Sequence, residues 1–248
     1  MTRPIDVATR ATVAFIAAHV APGATILEVG CGAGEVAVEL RERGFQVTGV
    51  DADPASVARA QARGAPVRLA AWPEFRGAAV DALVFSRSLH HMRPLHLAIG
   101  KAREVLRPAG TLLVEDFAFD EADAATIAWF VQALRSRQGR ELVAQVPGEF
   151  VTALLAAADP VAEWRRSHDH ELHTATVITE AVARSFRIQV AESVPYLFRY
   201  LVPVLPETSE AAEFVEEVLR EELRLGEAGK IVGIGRRIVG AGQPAAVG

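Results

Sequence analysis

Apolar residues follow two spacings along the first half of the chain. Short apolar runs predict strands, and stretches with apolar residues three or four positions apart predict the helices between them. The predicted strands lie at about 25–29, 46–50, 66–70, 80–85 and 111–116, and the predicted helices at about 5–19, 34–43, 54–62 and 95–106. Strands that alternate with helices of this length are typical of a doubly wound α/β domain with a parallel sheet.

This regular alternation ends near residue 118. Two helices are predicted at 120–137 and 147–158, and neither is followed by a convincing strand. We therefore predict an inserted helical cap or lid at 118–173, within a core domain made of residues 1–117 and 174–248. The last elements are predicted at 174–185 (helix), 187–194 (strand), 208–225 (helix) and 230–239 (strand). The final strand carries Gly233 and Gly235, and its pattern suits an edge position in the sheet.

A glycine turn follows the first predicted strand. Gly30, Gly32 and Gly34 alternate after Glu28, and Asp51 ends the next strand. Glycine lets the backbone pass close to a ligand, and a carboxylate at the end of the next strand can bind the two ribose hydroxyls of a nucleotide. Gly32 to Ala37 also satisfies the dinucleotide fingerprint, so a nicotinamide-dependent oxidoreductase stays open. Glu28 counts against it, because a pyrophosphate favours bare amides, whereas an ammonium group favours a carboxylate.

These residues resemble the class I S-adenosylmethionine-dependent methyltransferases, in particular the type 11 group that acts on small molecules. The segment 26–34 is similar to the first motif of that family, 50–52 to the second, and 80–86 with 89–92 to the fourth. The segment 106–115 resembles the family's "LkPGG.lll.e" pattern, with Ala109 in place of the first glycine. The resemblance implies a Rossmann-like, mostly parallel seven-stranded sheet. It also implies methyl transfer from S-adenosylmethionine to a small molecule, as in secondary metabolism.

The resemblance to this family also implies a set of cofactor-binding residues. These are Glu28, Gly30, Cys31, Gly32, Gly34, Asp51, Ala52, Ala71, Trp72 and Ser86. The family often has an acid after the third strand that binds the adenine amino group, but this chain has Ala70 and Ala71 there. We expect backbone groups and stacking on Trp72 to hold the adenine instead.

Histidine is the expected base, because its usual pKa lies near neutral pH. His91 matches a histidine that the family often has after the fourth strand, and His173 is the second candidate. His90 is assigned to packing. The segment from His168 to His173 is interpreted as a polar helix start rather than a metal site. The residues predicted to contact the substrate are Trp129, His170, Tyr196 and Arg199.

The composition of the chain narrows the classes of function that remain possible. The 248 residues carry a net charge of −5 without a basic tract, which argues against nucleic acid as a partner. No apolar run reaches the length needed to cross a bilayer. The one cysteine and the absence of a secretion signal predict a cytoplasmic enzyme of bacterial type. The oligomeric state is left open, and a catalytically silent partner subunit that still binds the cofactor remains an alternative.

Overall fold

The computed structural model describes residues 1–146, 148–169 and 171–242. The strands are β1 (Thr25–Val29), β2 (Gln46–Asp51), β3 (Val67–Leu69), β4 (Val80–Ser86), β5 (Leu106–Phe117), β6 (Phe186–Val194) and β7 (Gly235–Gly242). The helices are α1 (Pro4–His19), α2 (Glu35–Glu42), α3 (Pro54–Ala62), α4 (Leu95–Val105), α5 (Ala124–Leu134), α6 (Arg137–Val143), α7 (Glu149–Ala156), α8 (Pro160–Ser167), α9 (Ala175–Ser185) and α10 (Ser209–Glu227). Short 3-10 helices span Leu89–His91, Phe119–Glu121 and Leu197–Val204.

The seven strands form one sheet in the order β3-β2-β1-β4-β5-β7-β6. β1 pairs in parallel with β2 and β4, and the pairs β2 with β3 and β4 with β5 are parallel as well. The strand order reverses between β1 and β4, which is where α/β sheets of this kind bind ligands, beyond the carboxyl ends of the strands. This architecture confirms the predicted doubly wound, seven-stranded α/β fold.

Apolar side chains cover both faces of the sheet, as expected for buried parallel strands. On one face, Ile16 of α1 and Leu40 of α2 pack with Ile26 and Val84 of the sheet. On the other face, Ile99 of α4 and Val182 of α9 belong to the cluster that contains Leu83 and Phe85. Helices on both faces hold the strand ends, and the loops that follow them, in a fixed arrangement.

The segment after β5 contains more helices than the sequence predicted. Where two helices were expected at 120–137 and 147–158, the structure has α5, α6, α7 and α8. Ser136 ends the first predicted helix early, because its hydroxyl accepts the backbone N–H of Gly139 at 3.0 Å and starts α6. Asp159 accepts the N–H of Val161 at 3.0 Å and starts α8, with Pro160 in the first turn. The prediction overlooked both N-caps, although Ser and Asp are favoured at that position and Pro160 suits a first turn.

The predicted edge position of the last strand is wrong. β7 lies between β5 and β6, and β6 is the edge strand at this end of the sheet. Gly235, one of the two glycines noted in the sequence, serves close packing, and so does Gly240. A Cβ at Gly240 would lie 2.9 Å from Cβ of Phe186, and one at Gly235 would lie 2.6 Å from Cγ2 of Val194. Both neighbours are residues of β6, so glycine lets the two strands lie side by side.

The chain divides into two compact units. The sheet unit contains residues 9–116, 173–192 and 236 onward, and the helical unit contains residues 1–8, 117–172 and 193–235. The predicted cap at 118–173 is thus grouped with two further segments of the chain. Its boundaries as a separate insertion stay a prediction.

Candidate active site

The glycine turn after β1 lies at the carboxyl edge of the sheet. Gly30, Gly32 and Gly34 have φ angles of 72°, 55° and 80°, in the left-handed region that favours glycine. A Cβ at Gly30 would lie 2.5 Å from Cβ of Ser88, and one at Gly34 would lie 2.8 Å from Cβ of Ala65. A Cβ at Gly32 would meet no described atom within 4 Å. Gly30 and Gly34 are therefore needed for packing, whereas the outer face of Gly32 is where a ligand can approach the backbone.

Asp51 fixes this turn from the end of β2. Its Oδ2 accepts the N–H of Gly32 at 2.8 Å, and its Oδ1 accepts the N–H of Asp53 at 2.9 Å. Each carboxylate oxygen can accept further hydrogen bonds, because an ionised carboxylate has about four acceptor positions. The half-buried Asp51 can therefore hold the turn and bind a ribose diol together, and Ala52 beside it is exposed.

Two buried polar atoms near the turn have no hydrogen-bond partner among the described residues. They are Oε2 of Glu28, in the strand that enters the turn, and Oγ of Ser86, at the end of β4. Burial raises the pKa of Glu28 from 4.5 to about 8, against the opposing charge of Arg87. Glu35 and Asp51 raise it further. Buried polar groups without partners are uncommon, and a ligand ammonium group would satisfy this carboxyl. The residues present therefore fit a cationic cofactor such as S-adenosylmethionine.

The other predicted cofactor residues lie on the loops that follow β1 and β3. Cys31 is buried under the glycine turn, its backbone N–H donates to the oxygen of Val50 at 3.2 Å, and burial raises its thiol pKa. Ala71 is exposed after β3. Trp72 is half-buried, donates its indole N–H to the oxygen of Ala98 at 3.1 Å and packs edge-on against Phe85. The indole is thus fixed by the sheet unit, and its role toward adenine stays a prediction.

The loop after β4 carries His90 and His91 and contacts the glycine turn. Ser88 donates its hydroxyl to the oxygen of Val29 at 2.7 Å, which attaches the loop to the end of β1. His91 is exposed, and the centroid of its ring lies 4.0 Å from the centroid of the His90 ring. His173, also in the sheet unit, donates its backbone N–H to the oxygen of His90 at 3.0 Å. The ring Nε2 of His173 lies 3.0 Å from the oxygen of Met92, so this histidine holds the loop.

Sequence reasoning missed the acid that His90 contacts. Nδ1 of His90 lies 2.7 Å from Oδ1 of Asp116, and both side chains are buried. Adjacent parallel strands end at the same edge of a sheet. A histidine just after β4 and an acid near the end of β5 were therefore a usable signal. The sequence analysis instead assigns His90 to a surface or packing role.

The neighbouring acid, Glu115, has a different environment. Its carboxylate accepts the hydroxyl of Thr12 and lies 2.7 Å from a guanidinium nitrogen of Arg237. Arg87 lies 3.5 Å away on the other oxygen. These contacts link α1, β5, β7 and the residue that directly follows β4, so Glu115 has a structural role.

Three of the four predicted substrate residues are described, and they lie in the helical unit. Trp129 is half-buried in α5. Tyr196 is buried and stacks on Phe117 at 5.0 Å between ring centroids. The guanidinium of Arg199 is buried too, and it donates to the oxygen of Ala8 at 3.2 Å. His170 lies outside the described residues. The structure therefore brings together the cofactor residues and the predicted bases in the sheet unit, and the substrate assignments stay predictions.

Other features of the described residues add no further centre. No three His, Cys, Asp or Glu side chains in this part of the chain are arranged to hold a metal ion. No helix of the described ranges is long and apolar enough to cross a membrane. A groove of about 760 Å³ lies at the opposite, amino edge of the sheet, with Thr25, Gln46 and Val80 among its lining residues. Ligands of parallel sheets bind at the carboxyl edge, so the groove is not the candidate site.

Comparisons with known proteins bear on the family of the chain. A family model described as a methyltransferase domain matches residues 3–159, more than half of the chain. Uncharacterized methyltransferases from Mycobacterium bovis and Mycobacterium tuberculosis are each 37% identical over 101 residues. The match covers 37% of this chain and 50% of each relative. The chain thus spans about half the length of the curated relatives it matches.

Solved structures of low sequence identity share the fold. The N-methyltransferase NodS from Bradyrhizobium japonicum, in complex with S-adenosyl-l-homocysteine, has a TM-score of 0.55 at 12% identity and covers 98% of this chain and 89% of that chain. Magnesium protoporphyrin IX methyltransferase from Synechocystis has a TM-score of 0.53 at 12% identity, with coverages of 95% and 82%. The cyclase SpnF has a TM-score of 0.54 at 20% identity, with coverages of 95% and 80%.

At these identities the structural likeness shows the fold alone, and one fold supports several reactions. The family match goes further, since it covers the glycine turn, Asp51 and the histidine loop together. S-adenosylmethionine, the predicted cofactor, is the methyl donor of this kind of domain. The chain belongs to the methyltransferase-domain family.

Proposed function

We propose that the protein transfers the methyl group of S-adenosylmethionine to a small-molecule acceptor, as an enzyme of secondary metabolism. The supporting observation is the carboxyl edge of the sheet unit. There the open backbone of Gly32 lies beside Asp51 and follows the buried Glu28. A net charge of −5 does not favour a nucleic acid as the acceptor. When bound, the cofactor supplies a methyl group on a sulfonium, whose leaving group is a neutral thioether.

Residues of the chain have separate tasks in this proposal. Asp51 binds the ribose hydroxyls, Glu28 binds the ammonium group, and the backbone of the glycine turn approaches the cofactor closely. Methyl transfer then needs alignment of the acceptor, exclusion of water and removal of a proton when the acceptor carries one. His91 and His173 were predicted as bases for that proton, and both assignments stay predictions.

Replacing Asp51 tests the cofactor assignment. We expect Asp51→Ala to weaken binding of S-adenosylhomocysteine by about 1.5–3 kcal/mol, because hydrogen bonds to an ionised group are lost. Asp53→Ala is the matched control, since Asp53 is exposed and its side chain caps α3. That control should cost about 1 kcal/mol of stability and leave affinity unchanged. Calorimetry that finds equal affinity for wild type and Asp51→Ala would disprove the assignment.

A second pair of variants tests the glycine turn itself. Gly32 and Gly23 both have a positive φ, and a Cβ at either position would meet no described atom within 4 Å. Valine should therefore strain the backbone similarly at both sites. Only Gly32→Val should also abolish cofactor binding, because its side chain occupies the approach of the ligand. Equal affinities for the two variants would mean that the turn is structural only.

Turnover distinguishes an enzyme from a silent binding subunit. Wild-type protein should release S-adenosylhomocysteine when it is incubated with S-adenosylmethionine and a library of small hydroxyl, amine and thiol nucleophiles. Tight cofactor binding without any acceptor-dependent release would favour the catalytically silent partner subunit.

A further inference from the structure

The His90–Asp116 pair is an unassigned buried polar contact at the carboxyl edge of the sheet unit. His90 is 6% exposed and Asp116 is 1% exposed. Nδ1 of His90 lies 2.7 Å from Oδ1 of Asp116, and the other carboxyl oxygen accepts the backbone N–H of His90 at 3.1 Å. The same acid thus holds both the ring and the main chain of the histidine. A side chain that only filled space would not need this double contact.

Several contacts fix the loop that carries His90 relative to the glycine turn. Ser88 is bonded to the oxygen of Val29, the last residue of β1, and its Cβ leaves no room for a side chain on Gly30. His173 donates its N–H to the oxygen of His90 from the other side. Arg87, two residues before Leu89, has a φ of 55°. Non-glycine residues in this region are strained, and such strain is concentrated at functional sites.

The contact with Asp116 determines which nitrogen of His90 is basic. An ionised carboxylate only accepts hydrogen bonds, so Nδ1 of His90 must carry the proton in the 2.7 Å contact. A neutral imidazole has one protonated nitrogen and one that can accept a proton. Asp116 therefore makes Nε2 the basic nitrogen and stabilises the imidazolium that forms when it takes a proton. This is the arrangement by which an acid positions a general base in hydrolases.

We propose that His90 is the general base of methyl transfer and that Asp116 is its positioning residue. The inference rests on the proposed function. The acceptor's lone pair forms the bond to the methyl carbon, while the electron pair of the breaking carbon–sulfur bond stays on sulfur. The acceptor's proton moves to Nε2 of His90. His91, the base predicted from the sequence, is exposed, whereas His90 is buried beside Asp116. The acceptors that require such a base are hydroxyl compounds, which lose the proton as they attack, and protonated amines, which lose it first so that the nitrogen has a lone pair.

Nuclear magnetic resonance tests the pair without any acceptor. In protein labelled with nitrogen-15, long-range proton–nitrogen spectra distinguish the two neutral tautomers of each histidine. We expect His90 to be the tautomer with its proton on Nδ1, and we expect Asp116→Asn to shift it toward a proton on Nε2. A wild-type His90 with its proton on Nε2 in the neutral form would overturn the proposal, because that nitrogen could not accept another proton.

Turnover measurements then show whether His90 acts as a general base or the His90–Asp116 pair has only a structural role. With an acceptor from the nucleophile library, we expect His90→Gln and Asp116→Asn to lower kcat by about 10²–10⁴-fold, with little change in KM. Wild-type kcat should fall as the pH is lowered, and this dependence should be absent in His90→Gln. The control is His96→Gln, an exposed histidine of α4, which should retain wild-type turnover. If His91→Gln abolishes turnover while His90→Gln retains at least about a third, the proposal is wrong.

Binding of S-adenosylhomocysteine keeps this proposal apart from the proposed function. Both His90→Gln and Asp116→Asn should bind it as wild type does, which also shows that the variants are folded. If wild-type protein binds no S-adenosylhomocysteine, the proposed function fails, whereas the tautomer measurement still tests the pair. A loss of kcat whose pH dependence is unchanged in His90→Gln would show that the pair is structural and overturn the assignment of His90 as the base.

Discussion

Ala109 has a backbone conformation that glycine usually occupies. It stands where the family pattern has a glycine, and its φ is 63°. It lies in β5 at the shift in register between β4 and β5, where Val80 pairs with Leu106 but Ala82 pairs with Thr111. The left-handed conformation costs an alanine about 1–2 kcal/mol. This residue therefore carries a local strain that a glycine at the same position would not have.

Ala109→Gly should make the protein more stable. Relief of the strain exceeds the extra chain entropy that glycine loses on folding, about 0.5–1 kcal/mol, so we expect a net gain of about 0.5–1 kcal/mol. Ala58→Gly is the control, because Ala58 is an exposed residue in the middle of α3. It should lower stability by about the same amount. Denaturant unfolding that gives both variants the same sign would contradict the account of Ala109.

The charge of the Glu28 carboxyl group depends on pH near neutrality. Its pKa in the folded protein is raised from 4.5 to about 8 by burial. The folded protein therefore binds this proton more tightly than the unfolded chain does. The resulting stability is present below pH 4.5 and is lost as the pH rises through about 8. A cationic ligand beside Glu28 favours the ionised carboxyl, so binding should release its proton.

Proton release by Glu28 can be measured directly. Near neutral pH, titration of the protein with S-adenosylhomocysteine should give different heats in phosphate and in Tris, because the two buffers take up the released proton with different enthalpies. Glu28→Gln should reduce that difference, and it should flatten the fall in stability as the pH rises toward about 8. The same ligand in both proteins controls for ionisation of its own amino group. Identical proton release by Glu28→Gln and wild type would refute the role of this acid.

At the scale of elements, Glu222 of α10 holds the start of the 3-10 helix Leu197–Val204. Its carboxylate accepts the backbone N–H groups of Tyr196, Leu197 and Phe198 at 2.6, 2.9 and 3.2 Å. Burial raises the pKa of Glu222 to about 7, although these N–H groups and Arg199 oppose the shift. A side chain of one helix therefore provides the cap that another element lacks in its own sequence.

Glu222→Ala should destabilise the protein by about 3 kcal/mol. Three buried N–H groups would lose their acceptor, and leaving a buried donor unsatisfied costs about 1–3 kcal/mol, with partial compensation by water. Glu217→Ala provides the comparison, because Glu217 is exposed on the same helix and should change stability by at most about 0.5 kcal/mol. Chemical unfolding monitored by circular dichroism measures both. Similar losses for the two variants would show that the cap contributes little.

The elements of the sheet unit could be predicted because their signals are local. β1, α3 and the turn between β1 and α2 follow from apolar spacing, from Pro54 in a first turn and from alternating glycines. Elements fixed by distant contacts could not be predicted in this way. β7 lies between β5 and β6 because its glycines face β6. The 3-10 helix depends on Glu222, which lies 24 positions after Phe198.

The candidate site shows the same limit. The glycine turn and Asp51 are close in sequence and were found together, and the hydrogen bond from Gly32 to Asp51 joins them in the fold. The partner of His90 lies 26 positions away at the end of another strand. The sequence analysis therefore favoured His91 on the resemblance alone. Pairing the residues that follow adjacent strands would have brought His90 and Asp116 together.

At the scale of the whole molecule, the helical unit is built from three separated parts of the chain. Residues 117–172 share its interior with residues 193–235. Trp164 donates its indole N–H to the oxygen of Phe119 at 2.9 Å and its ring lies 5.2 Å from that of Tyr200. The hydroxyl of Tyr200 donates to Nε2 of His168 at 2.8 Å, because Nδ1 of His168 is engaged with the oxygen of Trp164. The helices α5 to α8 thus complete a core whose other half comes later in the chain.

A variant that lacks residues 118–172, closed by a short Gly-Ser linker, should therefore fail to fold cooperatively. The deletion removes Trp164 and His168, which contact Tyr200, and it removes Thr126, whose hydroxyl accepts the N–H of Val232 at 2.8 Å. Trp164→Phe, which removes the indole N–H but keeps an aromatic ring, should still unfold in a single transition at a lower denaturant concentration. A segment inserted as an independent cap could be removed without this consequence, because the contacts within such a cap would not include residues 193–235. If the deletion variant is monomeric and unfolds in a single sharp transition, the segment is an independent cap, and its aromatic core is not shared with residues 193–235.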